Sequence, residues 1–227
     1  SAETTLLKLS SAYSSFLNGG KLVTPILIDR IQDSEGNTIL NTENRKCNKC
    51  DEISHLSNEY PKIVDNFEQI FSSETAYQMT SLLEGAVQRG TGRGLRDLKL
   101  DLAGKTGTTN KNTDTWFIGF TSKLVIGVYV GFDEPQTLGK RETGAKTAMP
   151  IFKEFVKIAI KKKDARPFKV ADKITMMVID PKTGKKASFG TKKTIIEAYK
   201  KGKIEQKNVS NLKINNILKN NNILRFY

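Results

Sequence analysis

Ala103-Gly104-Lys105-Thr106-Gly107-Thr108-Thr109 opens a series of three closely spaced segments with strand character. We predict consecutive strands at residues 102–109, 115–121 and 124–132, because all three segments are short and largely apolar. Only Ser122 and Lys123 separate the last two, so a tight hairpin should pair them antiparallel. Their nearly continuous apolar character predicts burial on both faces, with helices covering the sheet. The chain is therefore expected to adopt an α+β fold.

The first of these strands has the residue types of a ligand-binding edge. Gly104 and Gly107 remove side chains on both sides of Lys105 and Thr106, which lets a ligand backbone approach closely. Lys105 offers a cation for a carboxylate, and the hydroxyls of Thr106 and Thr108 offer donors beside it. The backbone N–H of Thr108 is suited to form one arm of an oxyanion hole. An ordinary strand with a glycine bulge and an exposed lysine fits this segment equally well.

The tripeptide Lys-Thr-Gly occurs a second time, at Lys182-Thr183-Gly184. Three matching residues are weak evidence in a chain rich in lysine and threonine, so the neighbouring residues must decide. This copy lies in Asp180-Pro181-Lys182-Thr183-Gly184, where proline presets φ and glycine accepts a positive φ. We predict that it forms a hairpin turn and has no part in a binding site.

The net charge of +13 belongs to one end of the chain. Residues 1–152 carry 17 basic and 18 acidic side chains, whereas residues 153–227 carry 20 and 6. Nucleic-acid binding would need interleaved aromatics or arginines, but this charge is nearly all lysine, and we predict a solvated tail that binds no nucleic acid. No apolar run is long enough to span a bilayer, so a membrane anchor or export signal is expected only upstream of Ser1.

Cys47 and Cys50 form a Cys-x-x-Cys that the only histidine, His55, follows. Zinc would need a second Cys/His pair, and a redox site would need this motif to open a helix after a strand. The preferred interpretation is a local disulfide in an exported protein, with two free thiols as the alternative. Metal binding is the last choice, and His55 is expected to be an ordinary loop residue.

The remaining segments predict helices and a further hairpin. The predicted elements are a helix at residues 3–17 stopped by Gly19-Gly20, a hairpin at 25–40 with strands 26–28 and 38–40, and a helix capped by Ser72 or Ser73. A further helix is predicted to begin at Pro150, and its packing stripe is predicted to be Phe152, Phe155, Val156 and Ala159. A strand is predicted at residues 173–179. Residues 208–227 are expected to fray.

Several motifs in the right order resemble the latter part of the transpeptidase domain of class A penicillin-binding proteins. They are Glu3-Thr4-Thr5-Leu6, Asn18-Gly19-Gly20, Thr75-Ala76-Tyr77-Gln78-Met79, Arg89-Gly90-Thr91-Gly92, residues 103–109, residues 116–121, Val130-Gly131-Phe132-Asp133 and Glu142-Thr143-Gly144. Roughly three quarters of the chain is covered, and linked motifs are more specific than any one of them.

The resemblance implies a partial serine β-lactamase/penicillin-binding-protein fold, with an antiparallel sheet covered by helices. It implies a serine-type D,D-transpeptidase that cross-links peptidoglycan stem peptides and binds β-lactams, without cofactor or metal. Lys105 and Thr108 would be the catalytic contributors, and Lys105, Thr106, Gly107, Thr108 and Thr109 would bind substrate. The parent would be membrane-anchored, act on the periplasmic side of the bacterial inner membrane, and also carry a glycosyltransferase.

The chain departs from the family in its nucleophile motifs. No Ser-x-Asn occurs, and the one Ser-x-x-Lys, at Ser210-Asn211-Leu212-Lys213, follows the Lys-Thr-Gly strand instead of preceding it. We reject Ser210 as the nucleophile and expect the fragment to be inactive alone.

We divide the chain into residues 1–165, the transpeptidase portion, residues 166–207, a basic extension, and residues 208–227, a disordered Asn/Lys-rich tail. The alternatives for its function are a D,D-carboxypeptidase, a β-lactamase-like hydrolase, or a non-catalytic basic module that binds cell-wall polymer. The oligomeric state is not predicted.

Overall fold

The computed structural model describes residues 3–43, 45–48, 62–161 and 165–202. The helices are α1 (Leu6–Leu17), α2 (Ser73–Arg89) and α3 (Ala148–Ala159), with short 3₁₀ helices at Arg93–Leu98 and Asn110–Asn112. The strands are β1 (Arg30–Gln32), β2 (Thr38–Asn41), β3 (Lys46–Asn48), β4 (Lys62–Val64), β5 (Ala103–Thr108), β6 (Asp114–Phe120), β7 (Val125–Gly131), β8 (Ile174–Ile179) and β9 (Ile195–Lys200). Every pairing is antiparallel, in the sets β1-β2, β3-β4, β5-β6-β7 and β8-β9.

The three-stranded sheet β5-β6-β7 confirms the predicted strands and their antiparallel order. Helices cover both of its faces, as the apolar runs predicted. Gly127 faces α1, because a Cβ there would lie 2.8 Å from the Leu6 side chain. Gly119 faces α3, because a Cβ there would lie 2.7 Å from the Phe152 ring. The sheet is therefore the middle layer of the fold.

Two apolar clusters, one centred on each side of this sheet, form the core. The α3 side holds Val87, Leu95, Leu102, Phe117, Ala148, Met149, Phe152 and Val156. The other side holds Tyr77, Leu83, Ala103, Phe120, Phe168, Ile174 and Ala198. The second cluster joins α2 and the sheet to the β8-β9 hairpin, so the hairpin is packed against the body of the protein.

Helix α1 begins later than the sequence suggested. The helix starts at Leu6, because the Thr5 side chain caps it by accepting a hydrogen bond from the Lys8 N–H at 3.2 Å. The prediction of a start at Glu3 was therefore wrong by three residues. Gly19 and Gly20 follow the helix with φ of +65° and +88°, which confirms their role as its stop signal.

Helix α3 corrects the predicted packing stripe. The helix begins at Ala148, and Pro150 lies within its first turn, where an N–H has no helical acceptor. Phe155 is 49% exposed and Ala159 is also exposed, so these two positions of the predicted stripe were wrong. Because the helix starts two residues earlier, Ala148 and Met149 complete the buried face with Phe152 and Val156.

The first hairpin was placed correctly at its turn but not at its first strand. Strand β1 is Arg30–Gln32, and residues 26–28 are outside any strand. The Asp33 side chain accepts hydrogen bonds from the backbone N–H of Glu35 and Asn37, which closes the turn directly after Gln32. In the register that this turn sets, Arg30 pairs with Asn41, the last residue of β2, so residues 26–28 lie beyond the end of the partner strand.

Helix α2 and the β8-β9 hairpin agree with their predictions. Ser72 caps α2 through the Thr75 N–H, and β8 covers Ile174–Ile179. The hairpin contacts α2 through a hydrogen bond from the Gln78 amide to the Ala198 carbonyl, 3.0 Å, and an Arg89–Glu197 ion pair, 2.6 Å. The division at residues 165 and 207 stays a prediction.

Cys50, His55 and residues 208–227 lie outside the described part of the chain, so the predicted disulfide, the loop histidine and the frayed tail are not placed. Among the described helices, none combines the length and apolar character needed to cross a bilayer. No group of side chains suited to holding a metal ion occurs among the described residues.

Candidate active-site strand

Strand β5 forms an edge of the three-stranded sheet and emerges from the core along its length. Ala103 and Gly104 are buried, Lys105 and Thr108 are exposed, and the residues between them are half-buried. Because side chains alternate along a strand, Lys105 shares a face with its partner Ile118, while Thr106 and Thr108 lie on the other face. The strand is thus anchored at one end and open to solvent at the other.

The Lys105 ammonium lies at the surface beside its own strand. Its Nζ donates to the carbonyl oxygen of Thr106 at 2.8 Å, and Lys105 forms no ion pair with any residue that the structure describes. The side chain therefore folds back along β5 and leaves a cation exposed. A carboxylate that approached the strand would meet this positive charge.

Thr106 is oriented by a residue that sequence analysis did not identify. Its hydroxyl lies 3.0 Å from the hydroxyl of Thr91, in the glycine-rich connection that follows α2. Either oxygen can be the donor: when Thr91 donates, the Thr106 proton stays available for a ligand, and when Thr106 donates, its proton is taken up by Thr91. Arg89-Gly90-Thr91-Gly92 was visible in the sequence as a motif, but only the fold brings it beside β5.

Thr108 is held by Gly144, the second residue that sequence analysis missed as a site residue. The Gly144 N–H donates to the Thr108 hydroxyl at 3.1 Å. A Cβ on Gly144 would lie 2.4 Å from the Trp116 carbonyl oxygen and 2.6 Å from that of Gly107, so the segment rests directly on β5 and β6. Since the Thr108 oxygen accepts this bond, its hydroxyl proton remains available for a ligand.

Thr109 lies where β5 turns towards β6. Its hydroxyl accepts from the Asp114 N–H at 2.8 Å and lies 2.8 Å from the hydroxyl of Thr113. Thr109 remains exposed, but its hydrogen bonds stay within this connection. Thr109 therefore stabilises the connection between β5 and β6 through these hydrogen bonds.

Because Gly107 has no side chain, it leaves the neighbouring aromatic pair Trp116 and Tyr129 uncovered on this face of the sheet. Gly107 lies opposite Trp116, and a Cβ on Gly107 would approach the Trp116 Cβ to 3.1 Å. The rings of Trp116 and Tyr129 contact each other with centroids 4.6 Å apart. The Tyr129 hydroxyl donates to Asp114 at 2.7 Å, and this bond raises the pKa of the phenol. Lys105 therefore shares its strand with an aromatic surface.

The structure separates the other sequence candidates from this strand. Thr183 of the second Lys-Thr-Gly donates to Asp180 at 3.1 Å within a turn whose Gly184 has φ +67°. This confirms the predicted turn. Ser210 lies outside the described residues. A cavity of about 190 Å³ lies at the opposite end of the sheet, between Leu100, Thr121 and Ile160, and contains none of residues 105–109.

Known proteins resemble this chain over most of its length. Penicillin-binding protein 1A of Rickettsia prowazekii (strain Madrid E) is 42% identical over 209 residues, which are 90% of this chain and 26% of that protein. The protein of that name from Pseudomonas aeruginosa is 34% identical, over 88% of this chain and 28% of its own length. The chain therefore spans about a quarter of the length of the curated relatives it matches.

The fold agrees with these similarities. The crystal structure of penicillin-binding protein 1A from Haemophilus influenzae matches with a TM-score of 0.71 and 32% identity, over 88% of this chain and 32% of that one. The family model of the penicillin binding protein transpeptidase domain matches residues 2–157, more than half of the chain. The sheet and its covering helices are part of that fold, and the chain belongs to the penicillin-binding protein transpeptidase family.

Proposed function

We propose that this chain is part of a peptidoglycan D,D-transpeptidase, and that β5 is the strand that binds the substrate. The observation that carries the proposal is the exposed Lys105 ammonium on an edge strand whose Thr108 hydroxyl is oriented by the Gly144 N–H. We place the carboxylate that ends a D-alanyl-D-alanine stem peptide at the open edge of β5, where it meets the Thr106 and Thr108 hydroxyls from one face of the strand and the Lys105 charge from the other. Family membership supports the same assignment.

Each residue of the strand has a proposed role. Lys105 attracts the terminal carboxylate and makes the site electropositive, and the Thr106 and Thr108 hydroxyls donate to that carboxylate. The Thr108 N–H donates to the oxygen of the scissile carbonyl as charge develops there. Gly107 lets the peptide backbone approach, and the exposed Thr109, which also holds the end of the strand against Asp114, completes the proposed substrate-binding segment.

The reaction proceeds in two steps, with a serine supplied by polypeptide that precedes these residues in the parent. The serine oxygen attacks the carbonyl carbon of the penultimate D-alanine, and the terminal D-alanine leaves as its amine. The amine of a second stem peptide then attacks the serine ester, forms the cross-link and releases the serine. A β-lactam acylates the same serine. The fragment by itself has no Ser-x-Asn, and its one Ser-x-x-Lys follows β5.

The proposed parent is anchored in the membrane, carries a glycosyltransferase, and acts on stem peptides at the periplasmic side of the bacterial inner membrane. These assignments follow from the resemblance to class A penicillin-binding proteins. They concern polypeptide outside this chain, which covers 26% of its Rickettsia prowazekii relative.

Labelling with a fluorescent penicillin tests the proposal. We expect the full-length parent to be labelled and this chain alone to remain unlabelled. Replacing Lys105 by alanine in the parent should slow acylation about 100-fold, the usual cost of removing one preorganised electrostatic contact. The matched control is Lys182→Ala, which removes the lysine of the second Lys-Thr-Gly and should leave the rate unchanged.

Two outcomes would contradict the proposal. Labelling of this chain at Ser210 would show that it carries its own nucleophile. Equal rates for Lys105→Ala and the unmodified parent would show that the β5 lysine does not contact the ligand.

A further inference from the structure

The loop between β8 and β9 concentrates positive charge on a single protrusion. Its five lysines are all exposed and form no ion pair with a residue that the structure describes; they are Lys182, Lys185, Lys186, Lys192 and Lys193. The only acidic residue in the loop, Asp180, accepts hydrogen bonds from the Lys182 N–H and the Thr183 hydroxyl. The loop therefore presents a surface of one sign.

Phe189 lies at the tip of this loop and is 99% exposed. The Thr191 N–H donates to the Ser188 carbonyl at 3.1 Å, which makes Phe189 and Gly190 the two central residues of a tight turn. Gly190 has φ +91°, the value that the third position of a type II turn requires. The turn thus directs Phe189 away from the protein.

The residues beside the turn are fixed, so the exposure of Phe189 is built into the fold. Ala187 is buried, and its N–H donates to the Val178 carbonyl at 3.0 Å. Lys186 forms an antiparallel bridge with Ile179 across the turn at residues 180–185. The Thr191 hydroxyl bonds both the N–H and the carbonyl of Ser188. Transfer of this fully exposed phenyl ring from water into an apolar medium would be favourable.

The lysines flank Phe189 on both sides in the sequence. Lys186 is three residues before Phe189 and Lys192 is three residues after it, with Lys185 and Lys193 next to them. One pair of exposed lysines therefore precedes the turn at Phe189, and the second pair follows it. This arrangement fits a flat anionic surface that accepts an apolar side chain at its centre.

We propose that the β8-β9 loop docks on an anionic phospholipid bilayer, with Phe189 in the interfacial region and the four flanking lysines at the headgroups. A protruding ring needs a medium that it can enter, and the interface of a bilayer provides one without a shaped pocket. A glycan polymer would instead favour a ring laid flat along a groove with polar side chains. The loop belongs to a different hairpin from β5, so the docking surface is additional to the proposed catalytic strand.

Partitioning of the full 227-residue chain into vesicles tests the proposal. We expect binding to vesicles of phosphatidylcholine mixed with phosphatidylglycerol and much weaker binding to phosphatidylcholine alone. Replacing Lys185, Lys186, Lys192 and Lys193 by glutamine should lower the partition coefficient by about fivefold per lysine. The charge-matched control replaces four other exposed lysines, Lys123, Lys140, Lys146 and Lys161. Equal losses in both variants would overturn the proposal, because only overall charge would then matter.

A second experiment tests the role of Phe189. Phe189→Ser should lower partitioning about tenfold, whereas the control Leu27→Ser, at a side chain that is 87% exposed, should leave it unchanged. Phe189→Trp should retain binding, and the emission that it adds to that of Trp116 should shift to the blue on anionic vesicles. An unshifted emission from the new indole on bound vesicles contradicts insertion. A different result would assign the loop to peptidoglycan instead. In that result the unmodified chain binds purified peptidoglycan but no vesicles, and Phe189→Ser abolishes the binding to peptidoglycan.

Discussion

Lys105-Thr106-Gly107 lies in an extended strand at a sheet edge, whereas Lys182-Thr183-Gly184 closes a turn between two strands. The first is referred to as the strand copy and the second as the turn copy. In the strand copy, Thr106 contacts Thr91, fifteen residues away in sequence. In the turn copy, Thr183 bonds Asp180, three residues away. The same tripeptide thus makes contacts with a distant part of the chain in one place and forms a local turn in the other.

This difference has a physical origin in the glycines. Gly107 is in the strand opposite Trp116, where the missing Cβ lets neighbouring backbone approach. Gly184 has φ +67°, and a Cβ placed on it would meet no atom of the described residues within 4 Å, so it serves backbone conformation alone. Substitution of a glycine such as Gly107 places a Cβ in tight contact with a neighbouring residue, whereas substitution of a glycine such as Gly184 penalises only the backbone conformation.

The largest expected effect compares two glycine substitutions, Gly144→Ala beside the strand copy and Gly184→Ala in the turn copy. A Cβ on Gly144 would lie 2.4 Å from a backbone carbonyl oxygen, which no side-chain rotation can relieve. We expect a loss of about 3 kcal/mol in the free energy of unfolding for Gly144→Ala. For Gly184→Ala we expect about 1 kcal/mol, because only the positive φ is penalised.

Urea denaturation of the two variants measures both values. Losses of similar size would show that segment 143–147 can move away from β5, and that the hydrogen bond from Gly144 to Thr108 is dispensable. In that case the strand copy would depend on its neighbours no more than the turn copy does.

The second expected effect concerns Glu84 on α2, the helix that contacts both β5 and β9. Burial, together with Asp101 before β5 and Glu197 on β9, raises the pKa of its carboxyl to about 7, while Arg89 opposes the shift. The protonated carboxyl is favoured in the fold, so the stabilisation is fully present below the ordinary pKa of 4.5 and is lost as pH rises through 7.

Unfolding free energies measured between about pH 4.5 and about pH 8 should therefore fall by about 3 kcal/mol from this group. Glu84→Gln should remove that part of the pH dependence, whereas Glu154→Gln, at an exposed position on α3, should leave it in place. A Glu84→Gln profile identical to that of the unmodified chain would mean that the carboxyl is ionised throughout this range.

Much of the fold could be predicted because it depends on local pattern. The three central strands follow from apolar runs with a two-residue connection, and the turn copy follows from Pro181 and Gly184. The strand at residues 26–28 was wrong, because an apolar run of three residues suggested pairing that the side chain of Asp33 excludes. The packing stripe of α3 was wrong at two positions, because the buried stripe is narrower and begins one turn earlier than the apolar pattern suggested: Ala148, Met149, Phe152 and Val156 are buried, whereas Phe155 and Ala159 are exposed.

The candidate site could be predicted only as far as the strand itself. Residue types and glycine spacing indicate that 105–108 can bind a carboxylate, and they need no knowledge of the fold. The contacts of Thr91 with Thr106 and of Gly144 with Thr108 join residues 15 and 36 positions apart. A single sequence holds no pattern for such pairs, because they exist only after the helices and strands have packed. Glu142-Thr143-Gly144 was visible as a motif but not as a neighbour of Thr108.

The smallest expected effect tests whether the turn copy is as local as its contacts indicate. Asp180→Ala removes the acceptors of the Lys182 N–H, 2.9 Å, and of the Thr183 hydroxyl, 3.1 Å. Both bonds are exposed, so we expect a loss of about 1 kcal/mol in the free energy of unfolding. Acylation of the parent by penicillin should be unchanged, because the turn lies outside β5. A slower acylation in Asp180→Ala with normal stability would show that the turn copy acts on β5, the proposed substrate-binding strand, and the division between a binding copy and a structural copy would fail.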